Sequence, residues 1–242
     1  PVWFSFEKKP AKEKKSKNAK PVFALEKWSS KANSQPKFTP KEIGLLLGAT
    51  VLLGVFSFSY LGETTAPQTL LDSQQGKQTT FTAKVEQTPQ TLWVYPGISY
   101  GGRLTITNQS GTTVLDKELS YATCFQWSSI VLPQASSEYT ITLENAQLIE
   151  LAFKDEKGQV LQVESDQSLV FDEGNFVPET ISQLNSMYFD EIYHGRTGFE
   201  FLHQLPVYET THPPLGKDLI ALGVAIFGMT GFGWRFFGTL CG

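Results

Sequence analysis

The run Ile43–Leu61 reads IGLLLGATVLLGVFSFSYL and contains 19 consecutive residues without a charge. A helix rises about 1.5 Å per residue and the hydrocarbon core of a bilayer is about 30 Å thick, so about 20 apolar residues cross it. A helix buried in a soluble core is a poor alternative because no face of the run is polar. A cleaved signal peptide is also disfavoured, since its apolar part is typically shorter. The sequence therefore predicts a first transmembrane helix over residues 39–62.

The charges on the two sides of this run are unequal. The chain has 242 residues and a net charge of −4, yet residues 1–42 contain 11 Lys and 4 Glu, a local net charge of +7. Because basic flanks stay in the cytoplasm, we expect residues 1–38 to form a basic cytoplasmic tail and the chain from residue 62 onward to lie outside the cell. The mild overall charge argues against nucleic-acid binding. Two cysteines are too few for a disulfide scaffold or a Cys-based zinc module.

Residues 63–172 show the alternation of apolar and polar residues that is typical of β-strands. Thr80–Val85, Arg103–Thr107 and Tyr139–Leu143 all alternate with a period of two. About eight such short strands, separated by turn residues, indicate an antiparallel β-sandwich with a jelly-roll-like topology. The predicted fold class is therefore mixed: an α-helical membrane protein with an all-β sandwich inserted over 63–172 on the extracytoplasmic side.

Four aromatic residues of this region have two interpretations. Trp93, Tyr95, Tyr100 and Trp127 could stack on the sugar rings of a bound glycan. Aromatic residues at period-two positions belong more often to the core of a sheet, and the core is the interpretation that we favour.

Two polar motifs precede a second apolar run. FDE occupies residues 189–191 and HPPLGK occupies residues 212–217. We expect 173–214 to be an extracytoplasmic catalytic loop and 215–234 to be a second transmembrane helix that runs from outside to inside. A third helix would begin over 235–242, which places Arg235 at a cytoplasmic turn. On this topology the chain is the N-terminal portion of a larger multi-span protein.

The two motifs carry complementary charges. Asp190 and Glu191 are adjacent, so on a helix their side chains point about 100° apart and can serve separate roles, one as a base and one as an orienting group. Solvated surface carboxylates are the common alternative. His212 and Lys217 at the start of a helix form a cationic cluster that suits an anionic phosphate. His212 could also simply cap a turn.

A metal site has weaker support in the sequence. Glu191 and His194 have the Glu-x-x-His spacing of one half of a two-metal helix motif, but the sequence has no second copy. We therefore expect no metal at the site and no certain cofactor, and leave a divalent cation open.

These motifs resemble the protein O-mannosyltransferase family, glycosyltransferase family 39, which has the multi-span GT-C fold. The matching pieces are FDE at 189–191, HPPLGK at 212–217 and Trp234-Arg235 at the head of the following helix. Residues 188–242 closely resemble bacterial phospholipid-carrier-dependent glycosyltransferases, and Ile43–Leu61 matches loosely. The sequence departs from the eukaryotic members by its insert of roughly 110 residues between the first helix and the Asp-Glu segment, which leaves the acceptor open.

The resemblance implies a membrane glycosyltransferase that inverts the configuration of the transferred sugar. The donor would be a polyprenyl-phosphate sugar, with mannose as the family default, and the acceptor a Ser or Thr hydroxyl of an exported protein. Asp190 would be the general base and Glu191 would position a substrate. His212 and Lys217 would neutralise the leaving phosphate. Arg235 matches a family position for the donor phosphate, with a positive-inside anchor as the alternative.

Two other functions stay open. A transferase of the same fold could act on a cell-wall polymer or a lipid. A non-catalytic protein could instead use a membrane-anchored β-sandwich to bind glycan or a partner protein. The expected surroundings are the same in each case: a lipid bilayer, a multi-pass cell-membrane location, a cytoplasmic N-terminus and no nucleic acid.

Overall fold

The computed structural model of the protein describes residues 38–132 and 134–242, with only the backbone described at Gln74 and Gln75. The basic tail predicted over 1–38 lies outside the described residues, apart from Phe38. Val51–Gly242 form one compact unit, and the sheet and the site described below lie within it.

The first helix, α1, extends over Pro40–Ser59. Thr39 caps its start, because the Thr39 N–H donates to Glu42 Oε2 at 2.7 Å and the Glu42 N–H donates to Thr39 Oγ1 at 3.3 Å. None of its residues is buried. Among the described residues, α1 is the one helix long and apolar enough to cross a membrane. The helix predicted from Ile43–Leu61 is confirmed, and its passage through a membrane stays a prediction.

Six antiparallel strands form one large hydrogen-bonded sheet in the described part of the chain. In chain order they are β1 (Leu71–Val85), β2 (Thr91–Asn108), β3 (Thr113–Leu119), β4 (Ser128–Val131), β5 (Glu138–Lys154) and β6 (Val163–Ser165). Across the sheet the order is β3-β2-β5-β1-β6, and β4 pairs with the first part of β2. The architecture is consistent with a β-sandwich.

The strands are fewer and longer than the alternation of the sequence predicts. The pairing of β2 with β5 shifts register between Tyr95 and Pro96 and again between Ser99 and Arg103. Such β-bulges interrupt the alternation of side chains without ending the strand, which is why one long strand resembles two short ones in the sequence. Gly102 is required at this position because a Cβ there would lie 2.2 Å from the backbone oxygen of Glu144.

Three short helices follow the sheet: α2 (Glu191–Leu202), α3 (Pro214–Phe227) and α4 (Gly231–Cys241). The structure differs here from the single helix expected over 215–234. Gly228 ends α3 with a φ of +76°, which glycine adopts at little cost. Thr230 then caps α4, since its Oγ1 accepts the Gly233 N–H at 2.9 Å. At about 1.5 Å per residue, α3 is about 21 Å long and therefore shorter than the ~30 Å core of a bilayer.

The sheet and the three helices share an apolar core. One cluster fills the sheet itself and includes Phe81, Leu104, Ile141 and Phe153. A second cluster joins sheet residues to all three helices; its members include Trp93, Tyr95, Trp127, Phe199, Val224 and Trp234. The core interpretation of Trp93, Tyr95 and Trp127 is thus confirmed, whereas Tyr100 is partly exposed and lines a cleft. This second cluster fixes the start of α2 relative to α4.

Glycine residues allow the three helices to approach closely. A Cβ at Gly223 of α3 would lie 2.3 Å from the backbone oxygen of Gly233 in α4. A Cβ at Gly198 of α2 would lie 3.2 Å from the backbone nitrogen of Ala221 in α3. Real Cβ atoms do not tolerate the first distance, so a side chain at Gly223 would force α3 and α4 apart.

Candidate active site

The candidate site is formed where α2 begins beside α4. Phe189, immediately before α2, has a φ of +51°, in the left-handed region that non-glycine residues seldom adopt. The turn at Phe189 places Asp190 at the N-cap position of α2 and Glu191 in its first turn. Backbone conformations of this kind concentrate at functional sites, which supports residues 188–191 as a candidate.

Glu191 and Arg235 form a bidentate ion pair between α2 and α4. The Nε of Arg235 donates to Glu191 Oε1 at 2.6 Å, and its Nη2 donates to Oε2 at 2.5 Å. The side chain of Glu191 is 30% exposed and that of Arg235 is 16% exposed, so the pair is largely shielded from water. The Tyr188 N–H also donates to Glu191 Oε2 at 3.0 Å. The charge of Glu191 is therefore neutralised and its position is fixed.

Arg235 also holds two backbone segments. Its Nη1 donates to the oxygen of Leu61 at 2.8 Å, just after α1, and its Nη2 lies 3.5 Å from the oxygen of Ser186, just before α2. The sequence interpretation placed Arg235 at a cytoplasmic turn and Glu191 outside the cell. Their direct contact puts both on the same side of any membrane, because the break at Gly228 brings the start of α4 back to α2.

Asp190 differs from its neighbour in having a free carboxylate. Its side chain is exposed and makes no hydrogen bond or ion pair with the residues described in 38–132 and 134–242. Its backbone oxygen accepts the N–H groups of Tyr193 and His194 at 3.1 and 3.2 Å, which fixes the residue at the start of α2. The positive end of the helix dipole favours a negative charge there. Of the two adjacent carboxylates, Asp190 is the one available to accept a proton.

Both carboxylates line a cleft of about 330 Å³ between α2, α3 and α4. Tyr188 and Phe189 are exposed at this cleft. Its other lining residues include His194, Ile220, Trp234 and Arg235. The cleft therefore combines apolar and aromatic walls with a few charged groups, which is the usual composition of a small-molecule site.

His212 and Lys217 meet at a third residue, Glu209. His212 Nδ1 lies 3.2 Å from Glu209 Oε1. The Nζ of Lys217 forms an ion pair with the Glu209 carboxylate and donates to the Glu209 backbone oxygen at 2.6 Å. The hydrogen bond from Lys217, followed by those from Thr211, holds the pKa of Glu209 well below its ordinary value. Glu209 therefore stays charged and organises the start of α3.

The side chains of His212 and Lys217 differ in their surroundings. The side chain of His212 is 60% exposed and precedes the first turn of α3, where the helix dipole attracts anions. Lys217 is only 4% exposed and is already neutralised by Glu209. His212 is thus available to a ligand. Lys217, which the sequence grouped with it, instead holds Glu209 in place.

His194 joins the site beside His212. The centroids of the two imidazole rings are 4.9 Å apart, and His194 also lines the cleft with Asp190. Nitrogen and oxygen atoms of His194, Glu209 and His212 lie within 4.8 Å of one another, which is a possible zinc-type ligand set. A metal there would have to compete with the Lys217 ammonium for Glu209. Glu191 is bound to Arg235 and does not share a metal-ligand cluster with His194 among the described residues.

Sequence reasoning missed three residues that support the site. Arg196 and Glu200 of α2 form a buried ion pair with a 2.6 Å contact from Nε to Oε1. Glu200 also accepts the Tyr208 N–H at 3.0 Å, which holds the segment that leads to Glu209. The signals were the four-residue spacing of Arg196 and Glu200 and the three-residue spacing of Glu209 and His212. Such spacings are common on helices and turns, so they carry little weight alone.

No family model matches the chain. Part of it is similar to curated proteins that are named polyprenol-phosphate-mannose–protein mannosyltransferase. The protein of that name from two strains of Mycobacterium tuberculosis is 43% identical over 74 residues, which cover 30% of this chain and 12% of the relative. The protein of that name from Mycolicibacterium smegmatis is 42% identical over 60 residues, which cover 22% of this chain and 12% of the relative.

The matched stretch thus spans about an eighth of the length of these relatives. Over that share, the chain is similar to glycosyltransferases of the mannosyltransferase class. The similarity supports the family indicated by the FDE and HPPLGK motifs, although it covers less than a third of this chain.

Proposed function

We propose that this chain is part of a membrane glycosyltransferase that moves mannose from a polyprenyl-phosphate carrier to Ser or Thr hydroxyls of exported proteins. The partial similarity to polyprenol-phosphate-mannose–protein mannosyltransferases supports the donor and the acceptor class. The apolar helix α1 supports a membrane protein. The single observation that carries the proposal is that the two adjacent carboxylates differ in their contacts. Glu191 is neutralised by Arg235, whereas Asp190 has no partner among the described residues.

In the proposed reaction Asp190 acts as the general base. The acceptor oxygen attacks the anomeric carbon of mannose while its proton passes to the Asp190 carboxylate. The bond from the anomeric carbon to the phosphate oxygen breaks on the opposite face, and its electron pair leaves with the lipid phosphate. The configuration at the anomeric carbon therefore inverts. A positioned base of this kind typically accelerates such a step by about 10²–10⁴-fold.

Glu191 and Arg235 are proposed as positioning residues for Asp190. Two parallel N–H···O bonds hold Glu191 in one orientation, and Glu191 begins the helix whose N-cap is Asp190. A bidentate pair fixes geometry more firmly than a point charge would. A shift of about 1 Å at a reacting group can cost about 10²-fold in rate, so this rigidity is a direct contribution to transfer.

His212 is proposed to receive the leaving phosphate. Its imidazole is exposed at the start of α3, and Glu209 holds its Nδ1. The positive end of α3 lies at the same point, so charge that develops on the phosphate would be stabilised there. Lys217 would act through Glu209 rather than on the phosphate.

The proposed topology keeps the N-terminus in the cytoplasm and the sheet and site outside the cell. Since Arg235 contacts Glu191, the chain would not cross the membrane between them. We infer that α3 lies outside the bilayer core and that the next crossing begins within α4. Labelling of a single cysteine at residue 190 or 212 from the cytoplasmic side only would contradict this topology.

The test is mannose transfer by membranes that contain the intact protein, with radiolabelled polyprenyl-phosphate-mannose and an exported acceptor protein. Asp190→Asn removes the base with little change of shape and should lower the rate by about 10²–10⁴-fold. Asp72→Asn, at an exposed aspartate of β1, is the matched control and should leave the rate unchanged. A full rate in Asp190→Asn would overturn the assignment of the base. Label that resists protease digestion would indicate a wall-polymer or lipid acceptor instead of protein.

A further inference from the structure

Three carboxylates outside the transfer site converge beside the sheet. They belong to Glu150 in β5 and to Asp172 and Glu173 in the segment that follows β6. One oxygen of each lies within 4.8 Å of an oxygen of both others. None of the three forms an ion pair with a basic residue in the part of the chain that the structure describes.

Glu150 is the unusual member because its side chain is fully buried. Its Oε2 accepts the Glu173 N–H at 3.3 Å, but its Oε1 has no hydrogen-bond partner among the described residues. Burial of a carboxylate oxygen without a partner is costly. The sheet nevertheless directs Glu150 inward: the residue pairs with Tyr95 beside the bulge that leaves Ile149 unpaired. A bulge is a common way of re-aiming a side chain toward a site.

The surroundings of Glu150 disfavour its charged form. Burial is the main cause that raises the pKa of Glu150 to about 8, and the charges of Asp172 and Glu173 contribute to that rise. The carboxylate of Glu173 is held in place, because its Oε2 accepts the N–H groups of Gln68 and Thr69 at 2.8 and 2.7 Å. Asp172 is exposed, so solvent reaches the cluster from that side. The arrangement therefore combines buried and exposed carboxylate oxygens, and no basic side chain among the described residues forms an ion pair with them.

We propose that Glu150, Asp172 and Glu173 bind a calcium ion. Calcium prefers carboxylate oxygens at about 2.3–2.6 Å, so any two oxygens bound to one ion are at most about 5.2 Å apart, and the three carboxylate oxygens here lie within 4.8 Å of one another. Magnesium requires about 2.0–2.1 Å and near-octahedral geometry, which fits a group with a rigid buried member less well. The ion would give Glu150 Oε1 its missing partner and receive water or further oxygens on the exposed side at Asp172.

The site would connect the sheet to the helices. Glu173 holds the backbone of Gln68, and the Gln68 side chain in turn accepts the Met229 N–H at 3.0 Å in the turn between α3 and α4. A bound ion that fixes Glu173 therefore also fixes the chain between α1 and β1 against that turn. The proposed role is structural: calcium stabilises the packing of the sheet on α3 and α4.

The test uses the whole chain in detergent, first dialysed against EDTA and then titrated with calcium chloride. For a dissociation constant of the order of 10⁻⁴ M, as in extracellular modules, 2 mM calcium should raise the unfolding midpoint by about 4–7 °C. Glu150→Gln and Asp172→Asn should each abolish the rise. Glu150→Gln should not lower the midpoint in EDTA, since glutamine has nearly the same shape and is neutral at every pH. Glu144→Gln, at another glutamate of β5, is the matched control and should keep the full rise.

Three results would overturn the proposal. One is a parent midpoint that does not respond to 2 mM calcium. Another is a calcium response that persists in both Glu150→Gln and Asp172→Asn, which would locate the ion elsewhere. The third is an equal response to magnesium chloride, which would contradict the assignment to calcium. None of these results depends on mannose transfer, so this inference and the proposed function fail separately.

Discussion

Arg235 of α4 meets the carboxylate of Glu191 in α2 edge to edge, with contacts of 2.6 Å from Nε to Oε1 and 2.5 Å from Nη2 to Oε2. The exposed Arg103–Asp116 pair between β2 and β3 has nearly the same geometry, at 2.5 and 2.6 Å. The two pairs differ mainly in their exposure to water. They therefore offer a matched comparison of one interaction in two surroundings.

Arg235→Lys should weaken both folding and transfer. A lysine keeps the charge but cannot form two parallel hydrogen bonds, and it would leave the Leu61 oxygen without its donor. Loss of charge-assisted hydrogen bonds at a shielded site costs about 1–3 kcal/mol, or about 2–10 °C in the unfolding midpoint. Thermal unfolding in detergent and mannose transfer by membranes measure the two effects. Arg103→Lys should change neither, and equal effects of the two substitutions would contradict a special role for Arg235.

Acid should destabilise the packing at the start of α3, where Glu209 is bound to Lys217. Because the folded pKa of Glu209 is lowered, its contribution is present above the ordinary glutamate pKa of 4.5 and is lost as the pH falls through the folded value. At pH 7 we expect Glu209→Gln to be less stable than the parent, because Lys217 loses its counter-charge. As the pH falls below 4.5, we expect this variant to lose less stability than the parent does. Unfolding midpoints of the parent and the variant, measured from pH 7 to below pH 4.5, test the direction of this pH dependence. The double variant Glu209→Gln/Lys217→Met should recover stability at pH 7, since no unpaired buried charge remains.

Glu150 should give the opposite pH dependence when calcium is removed. Its folded pKa of about 8 exceeds the ordinary glutamate pKa of 4.5, so the folded state holds the extra proton between these values. Stability in EDTA should therefore fall as the pH rises from about 5 to 8, by at most about 1.4 kcal/mol per pH unit. Glu150→Gln should flatten that slope, and Glu144→Gln should not. A slope that is unchanged in Glu150→Gln would assign the dependence to other groups.

Gly223→Ala should separate α3 from α4. The added Cβ would lie 2.3 Å from the backbone oxygen of Gly233, and backbone can yield only if the helices move. We expect destabilisation by about 1–3 kcal/mol, as for other overpacked sites. Gly216→Ala is the matched control on the same helix, because no atom lies within 4 Å of its Cβ position, and it should be neutral or stabilising. Unfolding midpoints of the two variants provide the comparison.

The two cysteines should differ in reactivity. Cys124 is fully buried, and burial raises the pKa of its thiol to about 12, whereas Cys241 is exposed. Since the thiolate is the reactive form and a maleimide has to reach it, Cys124 should be labelled only after denaturation. Cys241→Ser should show no labelling until the protein unfolds. Fast labelling of folded Cys241→Ser would contradict the burial of Cys124.

Local patterns in the sequence predicted the elements, while contacts between distant elements could not be predicted. α1 was predictable because Ile43–Leu61 lacks charge over its whole length. The antiparallel strands were predictable because side chains alternate, but a bulge such as that at Ile149 disturbs the alternation and so concealed the true length of β5. Asp190 and Glu191 were identified together, yet only the approach of Arg235 from α4 distinguishes them. The turn at Gly228, which makes that approach possible, gave no clear signal within an apolar run.

The aromatic cluster of Trp93, Tyr95 and Trp127 is covered by side chains from the helices that also form the candidate site. The sheet is therefore part of the same packed unit as the candidate site and cannot be removed without exposing that site's supporting core. Excision of the sheet would expose the apolar faces of α2 and α4 to water, and the isolated sheet would likewise expose its own apolar surface. Any exchange of this sheet with that of a related protein therefore has to include the helix residues that pack against it.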